Sequence, residues 1–374
     1  MYRRLGISLY PNHSQFETDL KYIKTAKTYG FDRIFMSMLE ISDGKSNTIN
    51  RFNKIIKEAK KLDYEVILDI APDVLELLGA SYDDLSIFKN IGADGLRLDA
   101  GFDGKKEAMI TFNTFDLIIE LNMSNNVAYL DNIMTYQPNT PFLYGCHNFY
   151  PQEGTGLPLE FFEECSKRFK KYGLKTAAFV SSQFGEVGPW NINDGLPTLE
   201  IHRDLPIDVQ VKHLFATGYI DDVIIGNGYA TEEELKNLGK LNRYQIEFTV
   251  EFDTEINPIE KEIILDNQHF RRGDITSRMV RSTEVRKKYT DKNEPHTNQL
   301  TFKKGDVVIG NSNFGKYENE LQIVLEEHTD SRKNLVGRII DEEMILLDYI
   351  EPWTKFRFIE STNNKYNTRR IING

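Results

Sequence analysis

The sequence predicts an α/β protein in which a closed (β/α)8 barrel, the TIM-barrel fold, is followed by a small, mainly-β domain. Eight short apolar runs alternate with helical patterns over roughly 240 residues, which is the size of one such barrel. No Gly-x-Gly-x-x-Gly turn follows any run, and the polar residues that end the runs are spread around the set. A doubly wound open sheet is therefore the less favoured alternative. We expect the barrel domain over residues 1–243 and the second domain over residues 244–374.

Each unit of the predicted barrel is a short apolar strand followed by an amphipathic helix. The first helix shows apolar residues at helical spacing between Ser14 and Gly30, and a later one begins at Pro72 and is interrupted near Gly79. The helix of the sixth unit begins at Pro158, a residue that the first turn of a helix tolerates. The predicted strands cover residues 5–10, 33–40, 64–71, 96–100, 115–122, 142–150, 175–182 and 222–228.

The pattern changes after Asn242. Residues 244–252 alternate between apolar and polar, as a half-buried strand does, and further short strands are predicted at residues 307–309, 320–325 and 344–347. Residues 311–316 predict a turn, and residues 361–369 predict a tail. These features predict a second domain built mainly of β-strands.

Composition and charge exclude several classes of protein. The chain has 46 Lys and Arg against 57 Asp and Glu, a net charge of -11, which disfavours nucleic acid as a partner. Its two cysteines, Cys146 and Cys165, provide no disulfide framework, which is typical of a reducing compartment. No apolar run is long enough for a signal segment or a membrane span. We therefore expect a cytoplasmic protein that binds neither nucleic acid nor a membrane.

Polar side chains at the ends of the predicted strands form the candidate site, because the C-terminal ends of barrel strands converge on one mouth. Arg97 and Asp99 are two residues apart, so their side chains would point the same way. They could be a buried pair that only bridges barrel layers, and Asp69 could cap the helix that follows it. The strand-end residues are Tyr10, Glu40, Asp69, Arg97, Asp99, Glu120, Asn122, His147 and Asn148.

Carboxylates gathered at one mouth suit the cleavage of a glycosidic bond. Their mutual repulsion raises the pKa of at least one, so that a carboxyl group can act as an acid near neutral pH. One carboxyl group then protonates the leaving oxygen while another acts as nucleophile, activates water or orients a substrate group. Glu120 is a strong candidate, because an ionised group stands there between apolar neighbours. Glu40 could instead be a solvated strand-end residue.

Competing chemistries have weaker support. His147, Glu120 and Asp99 could in principle bind a divalent ion, but no His-x-His or His-Glu-x-x-His spacing occurs. No Gly-x-Ser-x-Gly segment is present, and Cys146 alternates away from His147, which argues against a thiol nucleophile. We predict no metal and no cofactor, and we interpret Cys146 as a small buried side chain.

A long connection, residues 183–200, follows the seventh predicted strand. Long barrel loops usually serve the site, although this one could be a lid without direct contact. Trp190 could stack on a sugar face, and Asp194 or Glu200 could reach in as a further acid. After the eighth strand, the segment Gly226–Gly228, which includes Asn227, could hold a phosphate group through its backbone.

Several segments resemble the MupG family, formerly a domain family of unknown function (DUF871), and the resemblance covers almost the whole chain. In the barrel half they are Gly6–Pro11, Gly95–Phe102, Ile119–Asn122, Cys146–Pro151, Gly195–Arg203 and Val223–Asn227. Phe270–Asp274, Val280–Thr283 and Gly337–Ile340 resemble the family's C-terminal domain, which has a cyclophilin-like fold without implied isomerase activity. One departure is the loop Gly188–Glu200, which is longer than the family pattern and carries Asp194 in place of a glutamate.

The resemblance implies a bacterial cytoplasmic 6-phospho-N-acetylmuramidase. Such an enzyme hydrolyses the β-1,4 bond of imported N-acetylmuramic acid 6-phosphate–N-acetylglucosamine during cell-wall (peptidoglycan) recycling. We then expect Asp99 and Glu120 as the principal catalytic carboxylates and Glu40 and Asp69 as supporting ones. The expected substrate-binding residues are Tyr10, Arg97, Asn122, His147, Asn148, Trp190, Glu200, Arg203, Asn227 and Arg281, the three arginines for the phosphate and the lactyl carboxylate.

Two alternatives from other classes stay open at this stage. One is a sugar-phosphate binding or sensing protein, in which the C-terminal domain transmits occupancy. The other is a metal-dependent sugar-phosphate isomerase or aldolase on the same barrel. The small β domain could also pair protomers into a homodimer or cover the mouth of the site.

Overall fold

The computed structural model describes residues 2–39, 44–101, 103–125, 127–296 and 299–361. The chain divides after Leu241 into two compact units. The predicted tail at residues 361–369 lies almost wholly outside the described residues, as does Glu40. No helix among the described residues combines the length and the apolar character that crossing a membrane requires.

Eight parallel strands form a closed barrel in the N-terminal unit. The strand β1 pairs with β2 on one side and with β8 on the other, which closes the sheet and rules out the doubly wound alternative. The predicted (β/α)8 barrel is therefore confirmed. The strands are β1 (Arg4–Leu9), β2 (Phe31–Met38), β3 (Glu65–Ile70), β4 (Gly95–Leu98), β5 (Ile118–Asn122), β6 (Leu143–Cys146), β7 (Lys175–Val180) and β8 (Asp222–Ile225).

Helices connect the barrel strands and cover them with apolar faces. The interruption expected near Gly79 is present, because this residue ends a helix in the left-handed region at φ 69°. Thr231 caps the last helix of the unit by accepting a hydrogen bond from the backbone of Glu234. The helices are α1 (Phe16–Thr28), α2 (Lys45–Lys61), α3 (Pro72–Leu78), α4 (Ser86–Ile91), α5 (Lys105–Ile110), α6 (Tyr129–Thr135), α7 (Leu159–Lys171), α8 (Ile207–Ala216) and α9 (Glu232–Gly239), with short 3-10 helices at Thr140–Phe142 and Glu200–His202.

Aromatic side chains fill the middle of the barrel. Phe35 and Phe179 are buried, with their rings 5.1 Å apart, and Phe149 packs edge-on against both. Cys146 lies in the same apolar group, which confirms its interpretation as a small buried side chain. The middle of the barrel therefore contains a packed aromatic group.

The C-terminal unit is mainly β, as predicted. Seven strands form one sheet in the order β10-β17-β9-β16-β13-β14-β11, and β12 pairs with β15. The elements are β9 (Ile246–Phe252), α10 (Pro258–Leu265), β10 (His269–Phe270), β11 (Met279–Ser282), β12 (Thr301–Phe302), β13 (Asp306–Gly310), β14 (Leu321–Val324), β15 (His328–Thr329), β16 (Lys333–Ile339) and β17 (Lys355–Glu360), with 3-10 helices at Val285–Lys288, Ser312–Tyr317 and Asp341–Tyr349.

One predicted strand of this unit is wrong. Residues 344–347 lie inside the 3-10 helix Asp341–Tyr349. The apolar run is buried through Leu346 and Leu347, and Glu343 accepts hydrogen bonds from the backbone and hydroxyl of Thr249 at 2.5 and 2.9 Å. A short apolar run does not by itself distinguish a buried strand from a buried helical turn.

Candidate active site

The barrel mouth brings together Asp69, Arg97, Asp99 and Asn148, called here the Arg97 cluster. Asp69 and Arg97 are register partners on β3 and β4, and Nη1 of Arg97 donates to Oδ1 of Asp69 at 2.6 Å. The same nitrogen lies 3.3 Å from Oδ1 of Asp99, just after β4. Nη2 of Arg97 donates to the side-chain oxygen of Asn148, which follows β6. One guanidinium therefore holds two carboxylates and an amide at the C-terminal ends of the strands.

The two carboxylates of the Arg97 cluster have different surroundings. Asp69 is buried, and burial raises its pKa to about 6 even though Arg97 opposes the shift; the charge of Asp99 adds to the increase. The Asp99 side chain, in contrast, is 45% exposed. Among the described residues, Oδ2 of Asp69 has no hydrogen-bond partner. The cluster thus combines a carboxyl group that takes up a proton near pH 6 with a solvated carboxylate.

Glu120 belongs to a second ion-pair group deeper in the barrel, called here the Arg33 cluster. Its Oε2 accepts a hydrogen bond from Nη2 of Arg33, whose Nη1 donates to Asp222 at 2.9 Å. Arg33 stands near the start of β2 and Asp222 starts β8, whereas Glu120 lies in the middle of β5, in register with Arg97. The remaining members are Arg4, Glu65 and Lys175, which lie on β1, β3 and β7.

Charges in the Arg33 cluster compensate one another. Burial alone would raise the pKa of Asp222, but hydrogen bonds from Arg4 and the charge of Arg33 lower it to about 2. The side chains of Glu120 and Asp222 are fully buried. Arg33 and Arg97 hold different carboxylates, so no shared cation brings Glu120 to Asp99. Glu120 is therefore placed as a counter-charge in the interior, and its predicted catalytic role stays a prediction.

A small cavity opens beside the Arg97 cluster, lined by Tyr10, Asn12, His13, Ser37, Leu39, Pro189 and Trp190. Ser37 is the register partner of Asp69, which places the cavity next to the cluster. The buried Tyr10 donates its hydroxyl hydrogen to the backbone oxygen of Gly226. Trp190 is 46% exposed, and its ring lies 6.1 Å from that of Phe149. The predicted residues Tyr10 and Trp190 thus flank the same mouth as the two aspartates.

Asn122 also lies beside the Arg97 cluster. It ends β5, and its Nδ2 lies 3.4 Å from the backbone oxygen of Asp99, while its Oδ1 accepts a hydrogen bond from the backbone of Ser124 at 2.9 Å. Asn122 therefore links the segments that follow β4 and β5. Its role in binding a sugar stays a prediction.

His147 is enclosed by protein groups, and its predicted role in substrate binding stays a prediction. It is fully buried, and its Nδ1 and Nε2 lie 3.1 Å from Ser124 Oγ and 2.9 Å from Ser166 Oγ. Burial, with a smaller contribution from Arg97, lowers its pKa to about 3, so the ring is neutral. Its ring also packs against Phe162 of α7. The side chain points from the barrel wall toward a helix, because it alternates with the inward-pointing Cys146.

Arg203 and Glu200 hold two loops together and do not face the mouth as open binding groups. Nε of Arg203 lies 2.7 Å from Oε1 of Glu200, and this hydrogen bond lowers the pKa of Glu200 to about 2. Glu200 also accepts from the backbone of Gly154 and Gly156 at 2.9 and 2.7 Å. Arg203 donates to the backbone oxygens of Tyr150, Gln152, Asp194 and Gly195. Protein groups occupy the polar atoms of both residues, and their predicted substrate-binding roles stay predictions.

Two further predicted binding residues have other partners. Asn227 is buried, and its Oδ1 accepts a hydrogen bond from the backbone nitrogen of Ser182 at 2.8 Å. Its Nδ2 donates to the backbone oxygens of Ser182 and Gly185 at 2.9 and 2.8 Å, so Asn227 anchors the long loop after β7. Arg281 belongs to the C-terminal unit, where its Nε lies 2.7 Å from Glu320. Asp194, considered above as a further acid, accepts a hydrogen bond at Oδ2 from the backbone nitrogen of Glu153 at 3.1 Å. Each arginine predicted to meet substrate anions forms an ion pair with a protein carboxylate, and its predicted role stays a prediction.

The sequence-based prediction missed Arg33 and Ser37. Arg33 is a charged residue within the apolar run of β2, a signal comparable to the one that identified Glu120 in β5. Ser37 shares a face with Arg33 and Phe35 by strand alternation, but a serine near the end of a strand carries no distinctive signal.

Both parts of the chain match family models of the 6-phospho-N-acetylmuramidases. The model of the N-terminal part matches residues 5–240, and the model of the C-terminal part matches residues 246–359. The chain belongs to the 6-phospho-N-acetylmuramidase (MupG) family. Membership supports a glycosidase role, which is the chemistry that paired carboxylates at a barrel mouth can carry out.

Solved structures similar to this MupG-family chain extend over both units. A crystal structure of an uncharacterized protein from B. cereus is 55% identical, with a TM-score of 0.90, and the match covers 96% of this chain and 100% of that one. A conserved protein of unknown function from Enterococcus faecalis is 27% identical, with a TM-score of 0.71 and coverage of 96% and 97%. No match was found among curated proteins. Among the described residues of this family member, no group of three or more His, Cys, Asp or Glu side chains is placed to hold a metal.

Proposed function

We propose that this MupG-family protein hydrolyses the β-1,4 bond of N-acetylmuramic acid 6-phosphate–N-acetylglucosamine in cytoplasmic cell-wall recycling. The observation that carries the proposal is the Arg97 cluster, in which one guanidinium holds Asp69 and Asp99 at the barrel mouth. Family membership supplies the substrate, and the cluster supplies a carboxyl group with a pKa of about 6 beside an exposed carboxylate.

Asp69 is the better candidate for the general acid. A proton donor to a leaving oxygen is most effective when its pKa lies near the working pH. Oδ1 of Asp69 is bound to Arg97, which leaves Oδ2 to carry the proton toward the mouth. The proton passes to the glycosidic oxygen as the bond to the anomeric carbon breaks, and water then supplies the hydroxyl group of the new sugar end.

Asp99 is the candidate for the second carboxylate. Asp99 attacks the anomeric carbon as a nucleophile, activates a water molecule, or orients the acetamido group of the substrate so that the acetamido oxygen attacks. Both carboxylates lie near one nitrogen, so the two oxygens concerned are no more than about 6 Å apart. This upper limit is shorter than the separation in most inverting glycosidases.

The cavity beside the cluster offers contacts for the sugar rings. Trp190 presents an exposed aromatic face, which packs well against the apolar face of a pyranose ring. Asn148 and Asn122 place amide groups beside Arg97 and Asp99. These contacts are sequence-based expectations whose positions around one mouth support the proposal.

The decisive experiment is incubation of the full-length protein with the phosphorylated disaccharide. Release of N-acetylglucosamine supports the proposed hydrolysis, whereas saturable binding without product favours the sugar-phosphate sensor. Conversion of a sugar phosphate without release of N-acetylglucosamine favours the isomerase or aldolase alternative if a chelator abolishes the conversion and a divalent ion restores it. Proton NMR of the first product, taken before its anomers equilibrate, distinguishes retention from inversion at the anomeric carbon.

A further inference from the structure

The C-terminal unit carries two arginines on one buried carboxylate. Arg281 lies on β11 and Arg286 in the 3-10 helix Val285–Lys288, while Glu320 immediately precedes β14. Oε1 of Glu320 accepts from Nε of Arg281 at 2.7 Å, and Oε2 accepts from Nη1 of Arg286 at 2.5 Å. The Glu320 side chain is fully buried, and Gln322 donates a further hydrogen bond to it at 3.0 Å. The carboxylate therefore fixes both guanidinium groups in place.

Positive charge exceeds negative charge around this pair. The cationic groups of Arg281, Arg286 and Lys316 lie 5.4, 5.2 and 5.1 Å from the ring centre of Tyr317. Glu320 neutralises one of these charges. Asp274, which also acts on Arg281, is itself paired with Arg272. Like charges held this close repel one another, so a bound anion would stabilise the arrangement.

Both arginines keep hydrogen-bond donors that the protein does not use. Arg281 bonds to Glu320 through Nε and Nη2, and Arg286 bonds to it through Nη1. Within the described part of the chain, Nη1 of Arg281 and both Nε and Nη2 of Arg286 have no hydrogen-bond partner. The two side chains are 21% and 20% exposed, so solvent reaches both arginines.

We propose that Arg281 and Arg286, oriented by Glu320, form a binding site for a phosphate monoester in the C-terminal unit. Guanidinium groups present pairs of N–H donors that match phosphate oxygens, and a fixed orientation reduces the entropy lost on binding. A dianionic phosphate also matches the local excess of positive charge better than a single carboxylate does. The inference goes beyond the proposed hydrolysis and does not depend on it, because all of its residues belong to the C-terminal unit.

The test is isothermal titration calorimetry of the full-length protein at low ionic strength, with inorganic phosphate and with glucosamine 6-phosphate as separate probes. We expect saturable binding to the unmodified protein and affinity weakened about tenfold or more in Arg286→Gln, because charge-assisted hydrogen bonds are lost. Arg332→Gln is the matched control. Arg332 is also a paired arginine of this unit, bound to Asp330 and 4.6 Å from the ring centre of Phe314. Its substitution is expected to leave the affinity unchanged.

Each result decides the proposal. Equal affinity of the unmodified protein and Arg286→Gln would place phosphate elsewhere and overturn the site, as would no binding of either probe at millimolar concentration. If Arg286→Gln fails to fold, Arg286→Lys decides, since it keeps the charge but loses the planar fork; unchanged affinity there contradicts the proposal. Tighter binding of glucosamine 6-phosphate identifies a sugar phosphate as the ligand, whereas equal binding identifies the phosphate group alone. Disaccharide hydrolysis by the same variants tests the proposed function separately.

Discussion

The barrel contains two arginine–carboxylate groups, and they differ in almost every physical respect. In the Arg33 cluster, Arg33, Glu120 and Asp222 are buried, and the pKa of Asp222 falls to about 2. In the Arg97 cluster, the pKa of Asp69 rises to about 6, and Asp99 is half exposed. A balanced and enclosed ion-pair network favours stability of the fold. An open one with an elevated carboxyl pKa favours chemistry, so residue types alone do not identify a site.

The largest expected effect is on turnover by the Arg97 cluster. Asp69→Asn and Asp99→Asn should each lower kcat by about a thousandfold, because the first cannot donate the proton and the second removes the negative charge near the anomeric carbon. Steady-state release of N-acetylglucosamine measures the effect, and circular dichroism controls for folding. Full turnover by either variant would remove that residue from the proposed mechanism.

The Arg33 cluster should respond in stability instead. Glu120→Gln leaves Arg33 without one of its buried counter-charges, which should lower the free energy of unfolding by about 3 kcal/mol. Urea titration measures this loss, and the folded fraction should keep most of its turnover. The opposite result, unchanged stability with abolished turnover, would make Glu120 the catalytic residue and reverse the comparison of the two clusters.

The carboxyl pKa values of the two clusters are shifted in opposite directions, so each cluster should give a different pH dependence. Burial raises the pKa of Asp69 in the folded protein, so kcat/KM should fall as pH rises through about 6 and Asp69 loses its proton. Asp69→Asn should remove that limb of the profile. The folded state lowers the pKa of Asp222 to about 2, so its contribution to stability is present above the unfolded value of about 4 and is lost as pH falls toward 2. Urea unfolding measured between these pH values tests the second part, with Asp222→Asn as the variant that lacks this dependence.

The smallest expected effect concerns the rim of the mouth. Trp190→Ala should raise KM about fivefold with little change in kcat, because an exposed aromatic contact contributes about 1 kcal/mol to binding. Trp353→Ala is a control, since Trp353 is an exposed tryptophan of the C-terminal unit. An equal change in KM for both variants would contradict a sugar contact at Trp190.

Local sequence patterns were sufficient to predict the barrel and part of its mouth. The eightfold alternation of apolar runs and helices is a pattern among residues close together in sequence, and so is the two-residue spacing of Arg97 and Asp99. Asp69 could be identified because the end of a barrel strand has a known position relative to the mouth. Its elevated pKa could not, because that depends on burial and on Asp99 from the next strand.

Contacts between residues far apart in sequence could not be predicted. The ion pair of Glu120 with Arg33 of β2 could not be predicted, because strand alternation does not show which cation reaches a side chain. Arg203 donates to backbone oxygens of two loops, whose positions only the folded chain determines. The contact of His147 with Ser166 could not be predicted either, because it depends on how α7 packs beside the end of β6.

Closure of the barrel through β1 and β8 has a consequence for synthesis on the ribosome. Arg4 and Arg33 are made early, whereas their common partner Asp222 is added about 190 residues after Arg33. Before that point, enclosing these cations in the barrel would leave them without a carboxylate on which both depend. We therefore expect the nascent N-terminal unit to stay sensitive to proteases until β8 has left the exit tunnel, and then to become resistant in one step.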